Sequence, residues 1–567
     1  MRLAVCILLA AAVAAASTAQ DEPHSYRNFK LIRINPENDA TLSYLKSLYE
    51  EESPYTLDFW QPPSHVGGVV DLTVAPSDAS SLIRDLSARG IHYIVAIHDL
   101  QKAIESEKSL TSWAHPPKGF GYERYNSVDE IYNELKRLKR ERPSLITLID
   151  IGQTHENRTM LVVKIGGGQS LDEDAPSVWL DAGIHAREWI APATAMFIVR
   201  ELVEGYDVDP KLQAMIDHVP FYILPVMNPD GYEYSRTSDR MWRKNRRPAE
   251  CQHKDWHTVC CRGVDLNRNF DWYWAVSFLP YFSASGSSSD SCHDTYHGPA
   301  AFSEPESMAV RDFLEAYPPK AFISLHSYSQ MWLIPFGHRR RSYPADYSSA
   351  LRPLALRATK ALEAVHGTKY QVGTGADLMY EASGGSHDWA KGALKVPFSY
   401  LIELRPRNTL FGNGFLLPER EIAPVGNETW AAIRVVADEV FSQFAQPSLR
   451  GKAGKKPETP LSLHKLGLRG TSTEQTTAAS RSEPTVTETD APTTVSPSTT
   501  VQPETATVTI QPRTVVVVES TVTPVTLATV TCEDYGSYCR LWKVFNLCDR
   551  RAVHKLCALT CNPQCRV

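Results

Sequence analysis

A long tract without any aromatic residue divides the chain and limits what can fold on either side of it. Residues 447–530 contain no Phe, Tyr or Trp, and 19 threonines lie between Thr471 and Val530 among prolines and serines. Such a tract cannot bury enough apolar surface to offset the entropy lost on ordering. It predicts an extended, disordered linker over 447–531, decorated with O-linked glycans. Structure and chemistry must therefore lie before it, or in the short cysteine-rich tail after it.

The first residues have the pattern of a secretory signal peptide. A basic residue at position 2 and the apolar run Leu3–Ala16 are followed by small residues, which predicts cleavage after residues 1–19. A membrane anchor is the alternative, but the run is shorter than the ~20 residues that a transmembrane helix needs. Apart from Cys6 in the apolar run, the chain has ten cysteines, four in one region and six in another. Even numbers of this kind favour disulfides in an oxidising compartment. Sequons at Asn157 and Asn427 agree with a secreted, extracellular glycoprotein.

Residues 20–117 predict a small α+β domain. Two stretches have helical spacing, Asn38–Glu51 and Ser77–Arg89. Four stretches are typical of strands, namely Phe29–Ile34, Tyr55–Trp60, Val69–Val74 and Tyr93–Ile97. The resulting order, strand-helix-strand-strand-helix-strand, predicts a ferredoxin-like sandwich.

Residues 118–446 predict a larger α/β domain. Helical patterns at Val128–Arg140, Ala191–Glu204 and Ser303–Ala316 alternate with apolar strands. Strands that are apolar throughout are buried on both faces, so we expect a mixed, mostly parallel sheet covered by helices. The expected strands are Ser177–Asp181, Phe221–Val226, Ala321–Leu325 and Pro397–Leu401. The net charge of −6 excludes a domain-scale surface for nucleic acid.

Three side chains near the ends of these strands could bind a metal ion. His185 and Glu188 follow one strand, and His326 closes another. Two nitrogens and a carboxylate that leave a fourth position open are typical of catalytic zinc. Active groups of open α/β sheets also lie at the carboxyl ends of the strands. An H-x-x-E pair arises by chance in a chain of this length, so spacing alone leaves a surface coincidence open.

Seven motifs stand in order in the same region. They are DAGIHAREWIAPA (181–193), MNPDGYEYS (227–235), MWRKNRR (241–247), GVDLNRNFDW (263–272), HSYSQMWLIPFG (326–337), YEASGGSHDW (380–389) and IELRP (402–406). As a set they resemble the zinc metallocarboxypeptidases of pancreatic A/B type, over the whole of 119–446. Residues 20–117 resemble that family's activation segment, a globular pro-domain that covers the active-site cleft.

The resemblance implies a role for each matching residue. It makes Glu403 the general base and Arg243 the cation that polarises the scissile carbonyl. The zinc ligands, for one ion per chain, would be His185, Glu188 and His326, with Asp265 holding the first histidine. The substrate would be bound by Asn267, Arg268 and Tyr380 at its terminal carboxylate, by Arg187 and Tyr328 as accessory contacts, and by His387 in the side-chain pocket.

Hydrolysis of a C-terminal peptide bond requires these residue types for reasons that do not depend on the resemblance. Zinc lowers the pKa of a water molecule to about 7, and a carboxylate takes its proton and returns it to the leaving amine. A planar guanidinium binds a terminal carboxylate through two hydrogen bonds, which a lysine does not. We interpret Lys244, Arg246 and Arg247 as a solvated basic surface, together with Arg339–Arg341, and leave Arg240 open.

The specificity pocket is expected from seven residues: Leu333, Gly337, Gly375, Ala382, Gly385, His387 and Leu401. The resemblance implies that the position of His387 is apolar in A-type enzymes and acidic in B-type enzymes. A neutral histidine offers no anion to pair with a basic side chain. We therefore predict apolar or aromatic C-terminal residues as substrates, with acidic ones improving below about pH 6.5 as His387 gains a proton.

Disulfide pairing follows in part from resemblance. Cys261–Cys292 matches the family's bond, and the extra Cys251 and Cys260 are expected to pair across their short loop. Residues 532–567 resemble a ShK-toxin-like (ShKT) domain, which implies Cys532–Cys565, Cys539–Cys557 and Cys548–Cys561. The Lys-Tyr pair of channel-blocking toxins is absent from the tail, which favours an adhesion or targeting module. A metallocarboxypeptidase joined to such a tail resembles nematode secreted proteins.

These observations predict a secreted zymogen of a zinc carboxypeptidase that acts on peptides or proteins with a free C-terminus. A protease would activate it by cutting the connector, with Lys108 and Lys118 as candidates. The alternative is a catalytically silent matrix or binding protein that acts through its ShKT tail on an extracellular or cell-surface partner. The intact zinc, base and carboxylate-binding positions favour the enzyme.

Overall fold

The computed structural model describes residues 23–50, 53–107, 119–168, 175–254, 257–276, 286–407 and 412–445. We call residues 23–107 the N-terminal unit and residues 119–445 the large unit. The expected signal peptide, linker, ShKT domain with its three disulfides, and connector with Lys108 and Lys118 lie outside the described residues. Among the helices of the described part, none is long and apolar enough to cross a membrane.

The N-terminal unit is an antiparallel sheet with two of its three helices packed on one face. Its elements are β1 (Lys30–Ile34), α1 (Asp39–Glu50), β2 (Leu57–Gln61), β3 (Val70–Val74), α2 (Pro76–Ala88), β4 (Tyr93–Ile97) and α3 (Leu100–Glu107). The strand order is β2-β3-β1-β4, as in the predicted sandwich, which confirms the expected α+β fold. Helix α3 was not expected from the sequence.

Alternation along each strand gives this sheet two different faces. On β3, Val70, Leu72 and Val74 belong to the core beneath α1 and α2. Asp71 and Thr73 alternate with them and therefore point the other way. That second face lies on the large unit, where side chains of the two units form a joint cluster that includes Leu31, Trp60, Tyr328 and Phe415.

The large unit alternates strands and helices as expected. Its helices are α4 (Val128–Glu141), α5 (Ile190–Gly205), α6 (Pro210–His218), α7 (Pro229–Thr237), α8 (Pro305–Ala316), α9 (Arg352–His366), α10 (Gly375–Leu378), α11 (Ser386–Gly392) and α12 (Ile422–Val440). Short 3-10 turns occupy Leu266–Arg268 and Glu419–Glu421, and π-helical turns occupy Tyr347–Leu351 and Phe441–Ala445. Helix α4 begins at a capping box between Ser127 and Glu130, which satisfies the first backbone donors.

The strands of the large unit are β5 (Ile146–Gln153), β6 (Thr159–Ile165), β7 (Val178–Ala182), β8 (Phe221–Leu224), β9 (Glu250–Lys254), β10 (His257–Cys261), β11 (Ala321–Ser329), β12 (Met331–Ile334), β13 (Gln371–Thr374) and β14 (Phe398–Arg407). Eight of them form one mixed sheet in the order β13-β12-β14-β11-β7-β8-β6-β5. The centre, β14-β11-β7-β8, is parallel. β9 and β10 form a separate hairpin.

Helices cover this sheet on both sides, as predicted for a mixed, mostly parallel sheet. Val178, Leu180 and Ala182 of β7 belong to one hydrophobic cluster, and Trp179 belongs to a second. β7 and β11 are buried along their whole length. The apolar strands read from the sequence are therefore the centre of the sheet, and their carboxyl ends form the floor of the candidate site.

Candidate functional site

Two histidines and a glutamate meet at the carboxyl ends of neighbouring strands. β7 pairs in parallel with β11, with Ala182 opposite Leu325, so both strands end at the same edge. Nδ1 of His185 lies 2.7 Å from Oε1 of Glu188, and Nδ1 of His326 lies 3.2 Å from its Oε2. All three residues are buried, and their possible ligand atoms lie within 4.8 Å of one another. The structure thus brings the three predicted metal ligands together.

Asp265 orients His185 by contacting the ring nitrogen that points away from the candidate metal site. Its Oδ1 lies 3.1 Å from Nε2 of His185, which places the ring proton on Nε2 and leaves the Nδ1 lone pair toward the site. Burial raises the pKa of Asp265, but the charges of Arg243, Arg268 and His185 hold it well below its usual range. Two buried imidazole nitrogens and a carboxylate, oriented in this way, fit the donor set of a catalytic zinc ion.

Glu403 and Arg243 line one cavity together with His185 and His326. Glu403 lies on β14 opposite His326 of β11, and its buried Oε2 has no hydrogen-bond partner among the described residues. Burial and the neighbouring Glu188 raise the pKa of this carboxyl. Arg243 is held by a hydrogen bond from Nη2 to Asp265 over 2.7 Å. The arrangement supplies a proton acceptor and a fixed cation beside the candidate metal ligands.

The predicted carboxylate-binding residues lie at another wall of the cavity. Asn267 and Arg268 occupy the 3-10 turn that follows Asp265. Arg268 donates from Nη1 to the carbonyl of Asn267 over 2.8 Å and from Nε to that of Gly286 over 2.7 Å. The Arg268 guanidinium carbon lies 6.0 Å from the centre of the Tyr380 ring. A guanidinium fixed in this way can present its second terminal nitrogen to an anion.

All seven residues expected in the specificity pocket line this cavity. Met379 also lines it and was not expected; its only sequence signal is its place before Tyr380. His387 is 6% exposed, and burial lowers its pKa. Neither of its ring nitrogens has a hydrogen-bond partner in the described part of the chain. Apart from His387, the seven expected pocket residues are apolar or glycine.

The two expected accessory substrate contacts bind the N-terminal unit in this structure. Nη1 of Arg187 donates to Oδ1 of Asp58 over 3.1 Å, and the Tyr328 hydroxyl donates to Oδ2 of Asp71 over 2.6 Å. Asp71 is fully buried and also accepts from Arg33 over 2.6 Å. The sequence analysis did not predict a contact role for either aspartate. The signal for it was that each aspartate alternates with apolar core residues along β2 or β3, which places it on the face away from the core.

The interpretation of the basic run as solvated is wrong for two residues. Lys244 is 5% exposed, and its ammonium donates to the carbonyl of Ser291 over 2.8 Å. Arg246 is 8% exposed and stacks over the ring of Tyr234. Arg240, left open above, donates to both carboxylate oxygens of Glu107 at the end of α3, over 2.6 and 2.9 Å. The sequence shows the charges but not the acceptors and rings that cover them; Arg339–Arg341 is exposed, as expected.

Two disulfides involve the β9–β10 hairpin. Cys251–Cys260 joins β9 to β10, and Cys261–Cys292 links the end of this hairpin to the loop beside Lys244. The pairings are those expected from the sequence. A second cluster of possible metal ligands, made of His155, Glu304 and Glu306, is already bound by other groups: Asn245 donates to both carboxylates and Arg247 to one.

Comparison with protein-family models assigns both units. The model "Zinc carboxypeptidase" matches residues 131–432, and the model "Carboxypeptidase activation peptide" matches residues 32–107. The second range ends at the last residue of α3. The second range falls within the N-terminal unit and the first within the large unit.

Individual proteins show the same likeness. Carboxypeptidase A2 of Rattus norvegicus is 36% identical over 415 residues, covering 72% of this chain and 93% of that protein. The crystal structure of thrombin activatable fibrinolysis inhibitor is 32% identical, with a TM-score of 0.63, and covers 74% of this chain and all of that one. The crystal structure of carboxypeptidase A from Helicoverpa armigera is 26% identical, with a TM-score of 0.63 over 75% of this chain.

Proposed function

From the premise that the chain belongs to the zinc carboxypeptidase family, with a carboxypeptidase activation peptide before the enzyme, we propose that the large unit removes the last residue of peptides with a free C-terminus. One observation carries this proposal. Asn267 and Arg268 line the same cavity as Glu403 and two of the candidate zinc ligands, His185 and His326. An exopeptidase needs a carboxylate-binding cation at a fixed distance from the scissile bond, and a buried, hydrogen-bonded arginine meets that need.

Each side chain has one task in the proposed reaction. Arg268 binds the terminal carboxylate, assisted by Asn267 and Tyr380. Glu403 accepts a proton from the attacking water and returns it to the leaving amine. Arg243 stabilises the negative charge that develops on the scissile carbonyl oxygen. Zinc, when bound by the candidate ligands, lowers the pKa of water and polarises the carbonyl.

The pocket supports an apolar or aromatic C-terminal residue as the preferred substrate. Leu333 and Leu401 are buried and line it, and Gly337, Gly375 and Gly385 add no side-chain volume. A lysine or arginine side chain would find a neutral imidazole at His387 instead of an anion, and burying its charge unpaired would be costly. Because burial lowers the pKa of His387, any gain for acidic C-terminal residues should begin below pH 6.5.

The N-terminal unit supports latency of the uncut chain. It binds Arg187 and Tyr328, the side chains proposed as accessory substrate contacts, through Asp58 and Asp71. Glu107 adds a buried ion pair to Arg240 of the large unit. A peptide that needs the same groups must displace these contacts, so cleavage of the connector should precede full activity.

The secreted location rests on the signal-type N-terminus and on the disulfides of the large unit. In this proposal the tail resembling a ShKT domain binds an extracellular or cell-surface partner. Expression with and without residues 447–567, followed by localisation of the secreted enzyme, tests that role separately from catalysis.

The decisive experiment for the enzyme compares a peptide with its C-terminal amide. The full chain is purified, activated with a trypsin-like protease, supplied with zinc, and incubated with both forms of the peptide. We expect stepwise loss of C-terminal residues from the free acid alone, detected by mass spectrometry. Internal cleavage, equal cleavage of the amide, or no cleavage by a zinc-loaded chain would contradict the proposal.

A further inference from the structure

A short segment before the first strand binds the large unit directly. Residues 23–29, which we call the strap, precede β1 and lie outside the sheet of the N-terminal unit. The amide of His24 donates to the carbonyl of Ser238 over 2.7 Å, and the hydroxyl of Tyr26 donates to Oδ1 of Asp239 over 2.6 Å. The range matched by the activation-peptide model begins only at residue 32, so these contacts lie before it.

Tyr26 is the centre of the strap. It is 8% exposed and belongs to the joint cluster of the two units, which also contains Met241 of the large unit. The rings of His24 and Phe29 pack edge-on against it, with ring centres 4.5 and 5.2 Å away. Burial and the neighbouring Asp239 raise the pKa of the Tyr26 phenol, so the hydroxyl keeps its proton and remains a donor at neutral pH.

The backbone of Tyr26 also holds helix α3. Its amide donates to Oε1 of Gln101 over 3.1 Å, and its carbonyl accepts from the amide of Gln101 over 3.2 Å. Helix α3 ends at Glu107, which pairs with Arg240 of the large unit. Tyr26 is thus bonded to α3 through its backbone and to Asp239, the neighbour of Arg240, through its side chain.

The strap is bound at the edge of the candidate active site. Oδ1 of Asp239 also accepts from the amide of Met241 over 3.1 Å, and Arg243 follows two residues later. Tyr26, Asp239 and Arg243 line one cavity between the two units. The strap therefore forms part of the wall of a cavity that reaches the proposed catalytic cation.

We propose that the strap is a latch that holds the uncut chain in its latent form, in addition to the contacts of Asp58 and Asp71. This inference rests on the proposed carboxypeptidase activity and its latency, and it names a further element that regulates them. A hydrogen bond to a charged carboxylate stabilises a complex more than one between neutral groups. Loss of the Tyr26 donor should therefore raise the fraction of chains in which the N-terminal unit has left the active site.

The test measures hydrolysis of benzoyl-Gly-Phe by the zinc-loaded full chain before any protease is added, as a ratio to the same chain after activation. We expect Tyr26→Phe to raise this ratio roughly 10-fold. Tyr44→Phe is the matched control, because the Tyr44 hydroxyl also donates to an aspartate, Asp85, over 2.5 Å, but within the N-terminal unit. Its ratio should equal that of the wild type. The activated enzymes should all have the same kcat/KM, since they no longer contain the strap.

A second pair of variants tests the strap without changing Tyr26. His24→Pro removes the amide that donates to Ser238, whereas His24→Ala keeps it, and both remove the same imidazole. We expect the ratio to rise further in His24→Pro than in His24→Ala.

The outcomes separate this inference from the proposed function. A ratio in Tyr26→Phe that is no higher than in Tyr44→Phe overturns the latch. If either tyrosine variant does not fold, equal ratios for the two His24 variants overturn it instead. No hydrolysis by the activated wild type contradicts the carboxypeptidase proposal itself. Equal activity of the uncut and the activated wild type contradicts latency, and this inference with it.

Discussion

The carboxylate of Asp58 lies 3.1 Å from Nη1 of Arg187. A residue of the N-terminal unit thus forms an ion pair with an arginine beside the candidate active site. Arg187 is only 2% exposed, and it also lies 3.6 Å from Asp294 of its own unit. The two carboxylates therefore share one guanidinium. This contact links the latency of the uncut chain to a single charged group.

Removing the Asp58 side chain should weaken latency. We expect Asp58→Ala to raise the activity of the uncut chain about 10-fold, because it removes the oxygen that accepts from Arg187, and a hydrogen bond to a charged group is worth about 1.4 kcal/mol or more. The measurement is hydrolysis of a short peptide before any protease is added. Asp39→Ala is the matched control, since it removes the same side chain from an exposed position on α1. Equal activity of both variants would show that the contact does not hold the segment.

The same group should make latency depend on pH. Burial raises the pKa of Asp58 to about 6, although Arg187 opposes the shift; Asp294 adds to it. In the separated segment the pKa returns to about 3.9. The closed form therefore binds more protons between about pH 4 and 6, so closure strengthens as the pH falls from 7 to 5 and weakens as it rises through 6. The pKa of Asp294 is lowered, so it stays ionised in this window.

This dependence can be isolated because cleavage yields the same enzyme from wild type and Asp58→Asn. We expect the ratio of uncut to activated activity to fall between pH 7 and pH 5 in the wild type. The corresponding ratio for Asp58→Asn should change less over that interval. A wild-type ratio that rises on acidification, or identical profiles for the two chains, would show that another group controls closure.

Glu403→Gln should abolish turnover without releasing the metal. Glu403 lines the cavity, but the candidate ligand atoms belong to His185, Glu188 and His326. A glutamine cannot accept a proton, so we expect kcat to fall at least ~100-fold. Zinc content measured by atomic spectroscopy should stay at one ion per chain. Near-normal cleavage by a zinc-loaded variant would remove Glu403 from the reaction.

Arg268→Lys should weaken recognition of the terminal carboxylate. A lysine keeps the charge but loses the two-pronged geometry, and we expect kcat/KM to fall roughly 10- to 150-fold. Arg262→Lys, at an exposed position six residues earlier, should leave kcat/KM unchanged. If the two variants behave alike, Arg268 does not bind the substrate's terminus.

Chelation should remove activity reversibly if zinc is held as proposed. Treatment of the activated enzyme with 1,10-phenanthroline should abolish hydrolysis, and added Zn²⁺ should restore it, because His185, Glu188 and His326 would hold the ion and a catalytic zinc site keeps a position open to exchange. Asp265→Asn should lower the affinity for zinc about 10- to 100-fold, since the group that orients His185 is weakened. Activity that persists after the metal has been removed would contradict a zinc enzyme.

Much of the fold was predictable because its signals are local. The apolar run of β7 and the spacing of α4 depend only on neighbouring residues, and the structure places both elements where the sequence predicts them. The ends were less predictable. The strand expected at Ala321–Leu325 continues to Ser329 as β11, because pairing with β14 extends it beyond the apolar run.

The residue types of the candidate site were also readable from the sequence, because zinc chemistry and carboxylate recognition each require a small set of side chains. Their distances were not. His185 and His326 come together only because β7 and β11 are adjacent and in register. Lys244 looks solvated in sequence and is buried, since its acceptor on Ser291 is supplied by a distant loop.

Only the tertiary structure determines the contact partners of charged side chains that the sequence suggests are exposed. Alternation along β3 places Asp71 on the face opposite the core, but a strand's own residues do not say whether water or another unit covers that face. Here the large unit covers it, and Tyr328 donates to Asp71. Likewise, the residue type at His387 follows from the sequence, whereas its burial at the wall of the cavity depends on packing. Local pattern determines secondary structure and residue chemistry; which groups pair across the molecule depends on long-range packing.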